Sequence, residues 1–202
     1  MSATSSSRPA RTQRARRLAQ IAAGVAALLV IGAVTAAAQA RLTQQEALAL
    51  AFPGADYVGR RTAFLSDSDL AMARARAGPD VEITQGVLTY YVGWRGGKPA
   101  GAAYFDAHRV RSLPEVLMVV VTADDRIGRL EILRFDEPPE YRAPPAWLNQ
   151  LDGKSLGPEL SLKGGVVNLT GATLTSQAIV RATRRVLALH EVIRPFSPGG
   201  SR

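Results

Sequence analysis

Gly86-Val87-Leu88-Thr89-Tyr90-Tyr91-Val92-Gly93-Trp94, followed by Gly96-Gly97-Lys98-Pro99 and then Gly101-Ala102-Ala103-Tyr104-Phe105, is an aromatic and β-branched run, a turn, and a second run of the same kind. Such residues fit a pleated, half-buried surface, and a Gly-Gly turn between two of these runs makes a hairpin. Its strands are predicted over 85–95 and 100–110. A second hairpin follows directly. Val116-Leu117-Met118-Val119-Val120-Val121 reads as a buried strand over 115–122, Ala123-Asp124-Asp125-Arg126 turns it, and Ile127, Leu130, Ile132 and Leu133 supply the apolar positions of 127–135.

Helical signals flank these hairpins. Thr43-Gln44-Gln45-Glu46 has the capping-box pattern, continues through Ala47–Phe52 and stops at Pro53-Gly54. Ser66-Asp67-Ser68-Asp69 opens a second helix through Ala77, halted by Gly78-Pro79, with Arg74 and Arg76 expected toward solvent. A third helix follows Ser176, with apolar residues at 179, 182/183, 186, 187 and 190 forming one buried stripe. Successive hairpins flanked by helices imply an α+β domain with an antiparallel sheet, and exclude a parallel doubly wound one.

The N-terminus is of another character. Arg8, Arg11, Arg14, Arg16 and Arg17 crowd the first 17 residues without an acid, and 18–40 carries no charge. A basic n-region before an apolar segment of this length is a transmembrane anchor or a signal peptide, and Ala38-Gln39-Ala40 fits a cleavage site. The positive-inside rule then puts the chain after Arg41 on the extracytoplasmic side, membrane-bound if the segment stays and periplasmic if it is cleaved. The segments are thus a basic tail (1–17), an anchor or signal (18–40), a helical part (41–85), the main domain (86–193) and a C-terminal tail (194–202). The formal charge of +8 is largely topology. Without those five arginines, 20 basic residues face 17 acidic ones, a net of +3, so a nucleic-acid partner is not indicated. There are no cysteines and two histidines, which excludes disulfides, thiolate sites and iron–sulfur clusters, and argues against a histidine metal centre.

Thr170-Gly171-Ala172-Thr173-Leu174-Thr175-Ser176 stands at the start of the last helix. Hydroxyl residues there suit a helix cap. The free N–H groups and partial positive charge of a helix start also suit a phosphate, and Gly171 and Ala172 let the backbone approach it closely. Upstream, 136–154 is proline-rich. Glu137-Pro138-Pro139, Tyr141 and Trp147 form a stiff segment able to wall a flat aromatic ligand, although a tryptophan packed on the core fits equally well.

Thr-Gly-Ala-Thr resembles the flavinylation motif of the FMN-binding domain family found in extracytoplasmic electron-transfer subunits of Rnf and sodium-pumping quinone reductase complexes. In that family the last threonine of the motif carries FMN by a phosphoester, installed by a dedicated flavin transferase. The resemblance therefore implies FMN as cofactor and Thr173 as its attachment point. The expected binding residues are Thr170, Gly171, Ala172, Thr173, Leu174, Thr175 and Ser176, with Glu137, Pro139 and Trp147 from the upstream segment. It also implies an electron-carrier subunit of a redox complex, with membrane, redox partner proteins and a flavin transferase as partners, and no catalytic residue of its own. Many members have aspartate three residues before the motif; Val167 stands there, with Asn168 beside it. FMN held without a covalent bond, and a flavin-free binding or assembly module, stay open as alternatives.

Three other features are read from their residue types. Asp106-Ala107-His108-Arg109-Val110-Arg111 gathers charge at a strand end and is expected to be solvated, with His108, Arg109 and Arg111 alternatively lying beside the flavin. Arg181, Arg184 and Arg185 are expected on the outer face of the last helix. His190 falls on its apolar stripe and should be packed.

Overall fold

The computed structural model describes residues 42–197; the anchor or signal predicted over 18–40, the basic tail before it and the last residues of the C-terminal tail lie outside them. Five strands form one antiparallel sheet in chain order: β1 (Tyr57–Phe64), β2 (Val87–Arg95), β3 (Lys98–Arg109), β4 (Pro114–Val121) and β5 (Ile127–Phe135). The two predicted hairpins are β2–β3 and β4–β5, with Gly93 opposite Gly101 and Val119 opposite Leu130. Strand β1 is an addition to the sequence expectation. It is an edge strand that buries only Gly59 and Ala63, so it carries no run of large apolar residues to announce it.

Helix α1 (Gln44–Ala51) starts as its sequence dictates. Thr43 Oγ1 accepts the Glu46 N–H, and the Glu46 carboxylate accepts the Thr43 N–H at 2.8 Å. Helix α2 (Asp67–Ala77) repeats the device with Ser66 and Asp69. A short helix α3 (Pro145–Leu148), with a 3-10 turn before it (Pro139–Tyr141) and another after it (Asn149–Leu151), orders the proline-rich segment, and α4 (Thr173–Ile193) closes the fold. Among the described residues no helix is long and apolar enough to cross a membrane.

Strand alternation divides the sheet between two cores. Tyr90, Val92, Tyr104, Leu117, Val119, Leu130 and Ile132 face α4, whose Ile179, Ala182, Val186 and Leu187 complete the larger cluster; the predicted stripe is buried. The other face, with Tyr91, Ala103, Met118, Val120 and Leu133, is covered by Ala47 and Phe52 of α1 and its cap. Helix α2 packs on α4 through Leu70, Ala73, Ala77, Ala188 and Leu189. The Phe52 ring sits over the opposed pair Gly93 and Gly101. A Cβ on Gly93 would stand 2.5 Å from that ring.

Polar groups join the sheet to α4 and correct two sequence expectations. The charged end of β3 is solvated only in part: Arg109 and Arg111 are exposed as expected, but Asp106 and its neighbour Glu115 are almost inaccessible, and His108 lies between them with its Nδ1 2.9 Å from Asp106 and its Nε2 2.9 Å from Glu115. Arg185 turns inward and forks onto both oxygens of Asp106 at 2.7 Å. Arg184 also leaves the outer face expected for it, donating to the carbonyls of Ala77, Gly157 and Leu160. The physical reason is shared: a guanidinium or imidazolium can be buried when its donors meet oxygens in good geometry. His190 is packed as expected, with Nδ1 2.7 Å from the Tyr104 hydroxyl and Nε2 2.9 Å from Asp125.

Burial alone would depress the His108 pKa, but its hydrogen bonds to Asp106 and Glu115 and their charges prevail and lift it from 6.5 to about 9. A raised value means that the folded protein binds this proton more tightly than the unfolded chain. The resulting stability, about 3 kcal/mol at roughly 1.4 kcal/mol per tenfold, is complete below pH 6.5 and is lost as pH rises through about 9. Chemical denaturation of wild type between pH 6 and pH 10 should show that decline, and His108→Gln should remove most of it; equal slopes in the two proteins would contradict the assignment. Gly93→Ala should lower stability by about 1–3 kcal/mol through overpacking against Phe52, read as a fall in the denaturation midpoint.

Candidate functional site

The motif begins with a tight turn and ends in a helix that no side chain caps. The N-cap of α4 is Ala172, and Thr173 is already the first helical residue. The expectation that a hydroxyl residue caps this helix is therefore corrected. The hydroxyls do other work, because the loop turns at Gly171 (φ +82°) and needs side-chain ties to hold its shape. Ser176 Oγ accepts the Leu169 N–H at 3.0 Å and donates to the Ala172 carbonyl at 3.2 Å, bracing the loop from inside. Thr175 Oγ1 donates to the Tyr141 carbonyl at 2.7 Å and so fastens the proline-rich segment to the helix start. Thr173 is exposed, and its Oγ1 accepts a hydrogen bond from Asn168 Nδ2 at 3.0 Å.

The first backbone N–H of this helix with a helical acceptor is that of Ser176, bonded to the Ala172 carbonyl. Among the described residues, the N–H groups of Thr173, Leu174 and Thr175 have no partner, as expected of an uncapped start. They open beside a cavity of about 260 Å³ lined by Val110, Arg111, Glu137, Tyr141 and Gly171–Thr175. Nothing stands within 4 Å of the position a Cβ on Gly171 would take, so that side of the loop is open. Tyr141 and Leu174 are exposed apolar groups at the mouth, and Leu113 and Val167 are exposed on neighbouring segments.

The cavity gathers Glu137, Gly171, Ala172, Thr173, Leu174 and Thr175 from the expected residues. Thr170, Ser176, Pro139 and Trp147 lie outside its lining. Glu137 is buried and faces the turn between β3 and β4. One of its oxygens accepts the N–H groups of Leu113 and Ser112 at 2.7 Å and of Arg111 at 3.2 Å, and these bonds hold the carboxyl below its ordinary pKa range. Its part is to fix the wall that carries Val110 and Arg111. Trp147 is packed in the core with its Nε1–H donated to the Val167 carbonyl at 2.8 Å. Gln150 takes both backbone groups of the same residue, the N–H at 2.7 Å and the carbonyl at 3.3 Å. The backbone before the motif is thus clamped, while the Val167 side chain points out, three-quarters exposed.

Val110, Gln150 and Asn168 were not singled out as site residues by sequence reasoning. Val110 and Gln150 reach the site by folding from distant segments, which leaves no local pattern. Asn168 could have been found: it lies five residues before Thr173, on the near side of a glycine turn that brings the two together.

A site for FMN needs donors for a phosphate, room beside them and an apolar wall for a ring. Three free N–H groups at the positive end of α4, the open side of Gly171, and the Tyr141–Leu174 edge meet those needs. No acidic or histidine cluster suited to a metal ion exists among the described residues. A comparison with curated proteins gives no match. A comparison with protein families does: residues 113–188 match the FMN-binding domain, a span that includes Glu137, Tyr141, the whole motif and most of α4. The match over 113–188 supports FMN as the cofactor.

Proposed function

We propose that this chain is an extracytoplasmic flavoprotein that carries electrons with FMN held at the start of α4 and esterified through its phosphate to Thr173. The observation that carries the reading is the uncapped first turn of α4, with three partnerless N–H groups and an exposed Thr173 hydroxyl opening on one cavity. The N–H groups would neutralise the phosphate, and Asn168 would orient Thr173 Oγ1. When bound, FMN supplies reversible one- and two-electron transfer; the protein supplies position and electrostatics.

A cavity of about 260 Å³ is just below the roughly 300–1,000 Å³ usual for small-molecule sites. Part of the flavin would therefore rest on the exposed apolar rim of Tyr141 and Leu174. An edge left at the surface suits a carrier that exchanges electrons with partner proteins and turns over no substrate of its own. The extracytoplasmic side is inferred from the five arginines before the uncharged segment 18–40. A covalent bond has a clear use there, where a dissociated cofactor would be lost.

One departure favours a second reading. Val167 presents an exposed apolar side chain where the resemblance implies a carboxylate for the transferase, and the second reading is FMN held without the ester. Mass spectrometry of protein produced with a flavin transferase separates the two. The peptide containing Thr173 should gain the mass of FMN less one water, and Thr173→Ala should abolish the adduct. Yellow protein whose peptides are all unmodified supports non-covalent binding, and colourless protein contradicts both. In a companion measurement, Gly171→Val should weaken FMN retention at least tenfold, because a β-branched residue is strained at φ +82° and the loop must move.

A further inference from the structure

The buried chain Arg185–Asp106–His108–Glu115 is more than the fold requires. Its side chains are between 0 and 14% exposed, and an apolar cluster of similar volume is commonly as stable as buried ions. It is also incomplete: Glu115 Oε1 is fully buried and has no partner among the described residues. Two cations then balance two anions only while His108 holds its proton.

This chain lies beside the flavin cavity along the same two elements. Tyr104, Asp106 and His108 alternate onto the side of β3 that faces α4, and Val110, just past the end of the strand, belongs to the same core and to the cavity wall. His108 is two residues back, at most about 7 Å along the chain. On α4, Leu174 and Thr175 line the cavity, while Ala178 and Arg181, one and two turns later, line a separate cleft with His108 and Arg109. The other charged groups around that cleft are Asp80, Glu82 and Arg109, which are exposed and screened by water, and Arg181, which is partly so. The screened groups act weakly at this range, and the buried ones act strongly.

We propose that His108, fixed as a cation between Asp106 and Glu115, is a positioning residue that favours the reduced form of FMN in the neighbouring cavity. The inference rests on the proposed function. Reduction adds negative charge to the cofactor, and a buried cation at this distance lowers the energy of that form. Glu115 opposes it, so the two residues should act with opposite sign. That opposition distinguishes charge from damage, because a merely structural lesion would move both variants the same way.

The test is the midpoint potential of the FMN-loaded protein by spectroelectrochemistry at pH 7, with flavin content measured in the same samples. His108→Gln should reduce the ratio of reduced to oxidised FMN about tenfold at a fixed applied potential, about 30 mV downward for a two-electron couple. Glu115→Gln should shift it upward. Wild type gives a second readout by linkage: the His108 imidazole, followed by nitrogen NMR, should bind its proton about tenfold more tightly when the flavin is reduced. Loaded variants with unchanged potentials, or with shifts of one sign, overturn the proposal. So does a wild-type His108 whose titration ignores the redox state. Wild type that retains no FMN overturns the proposed function itself, and this inference with it.

Discussion

Helix α4 begins at Thr173 because Ser176 holds the preceding loop closed, taking the Leu169 N–H and returning its own proton to the Ala172 carbonyl. The rest of the site depends on that brace. It leaves the first turn without a side-chain cap, so three N–H groups and the positive end of a 21-residue helix stay available. It places Thr173 at the surface and Thr175 where it can anchor the proline-rich segment through the Tyr141 carbonyl. The other wall comes from the sheet, where Glu137 gathers three backbone N–H groups of the β3–β4 turn and sets Val110 and Arg111 in place.

The same seam between β3 and α4 carries the polar groups of the interior. Asp125, His190 and Tyr104 occupy one end of it, Arg185, Asp106 and His108 the middle, and the cavity the other end. Antiparallel packing of helix on strand explains the order, since residue numbers rise along β3 as they fall along α4. A polar stripe crossing an apolar interface fixes the register between the two, and register decides which residues of α4 meet the end of β3. The seam thereby links the stability of the fold to the electrostatics of the proposed site.

Much of this was legible in the sequence. Both hairpins, the two capping boxes and the stripe of α4 rest on local periodicity and short-range hydrogen bonds, which a sequence displays directly. The Thr170–Ser176 motif was legible as a helix start with an affinity for phosphate, though its hydroxyls brace the loop where caps were expected. Strand β1 was hidden because an edge strand with buried glycine and alanine has little apolar signal. The buried charges were hidden for another reason. Asp106 and Arg185 are 79 residues apart, and each reads as a surface residue until the fold supplies the other. Trp147 could be read either as a wall of the site or as core; its bond to Val167 makes it the support of the segment before the motif.

The proposed function requires that the start of α4 receive FMN by its phosphate. Titrating the apo domain with FMN, and in parallel with riboflavin, while recording backbone amide shifts by NMR tests it most directly. The account predicts the largest FMN-induced shifts at the N–H groups of Thr173, Leu174 and Thr175, with riboflavin binding at least tenfold more weakly because it lacks the phosphate. Equal affinity for the two ligands, or shifts centred on the cleft around His108 and Arg181, would contradict it.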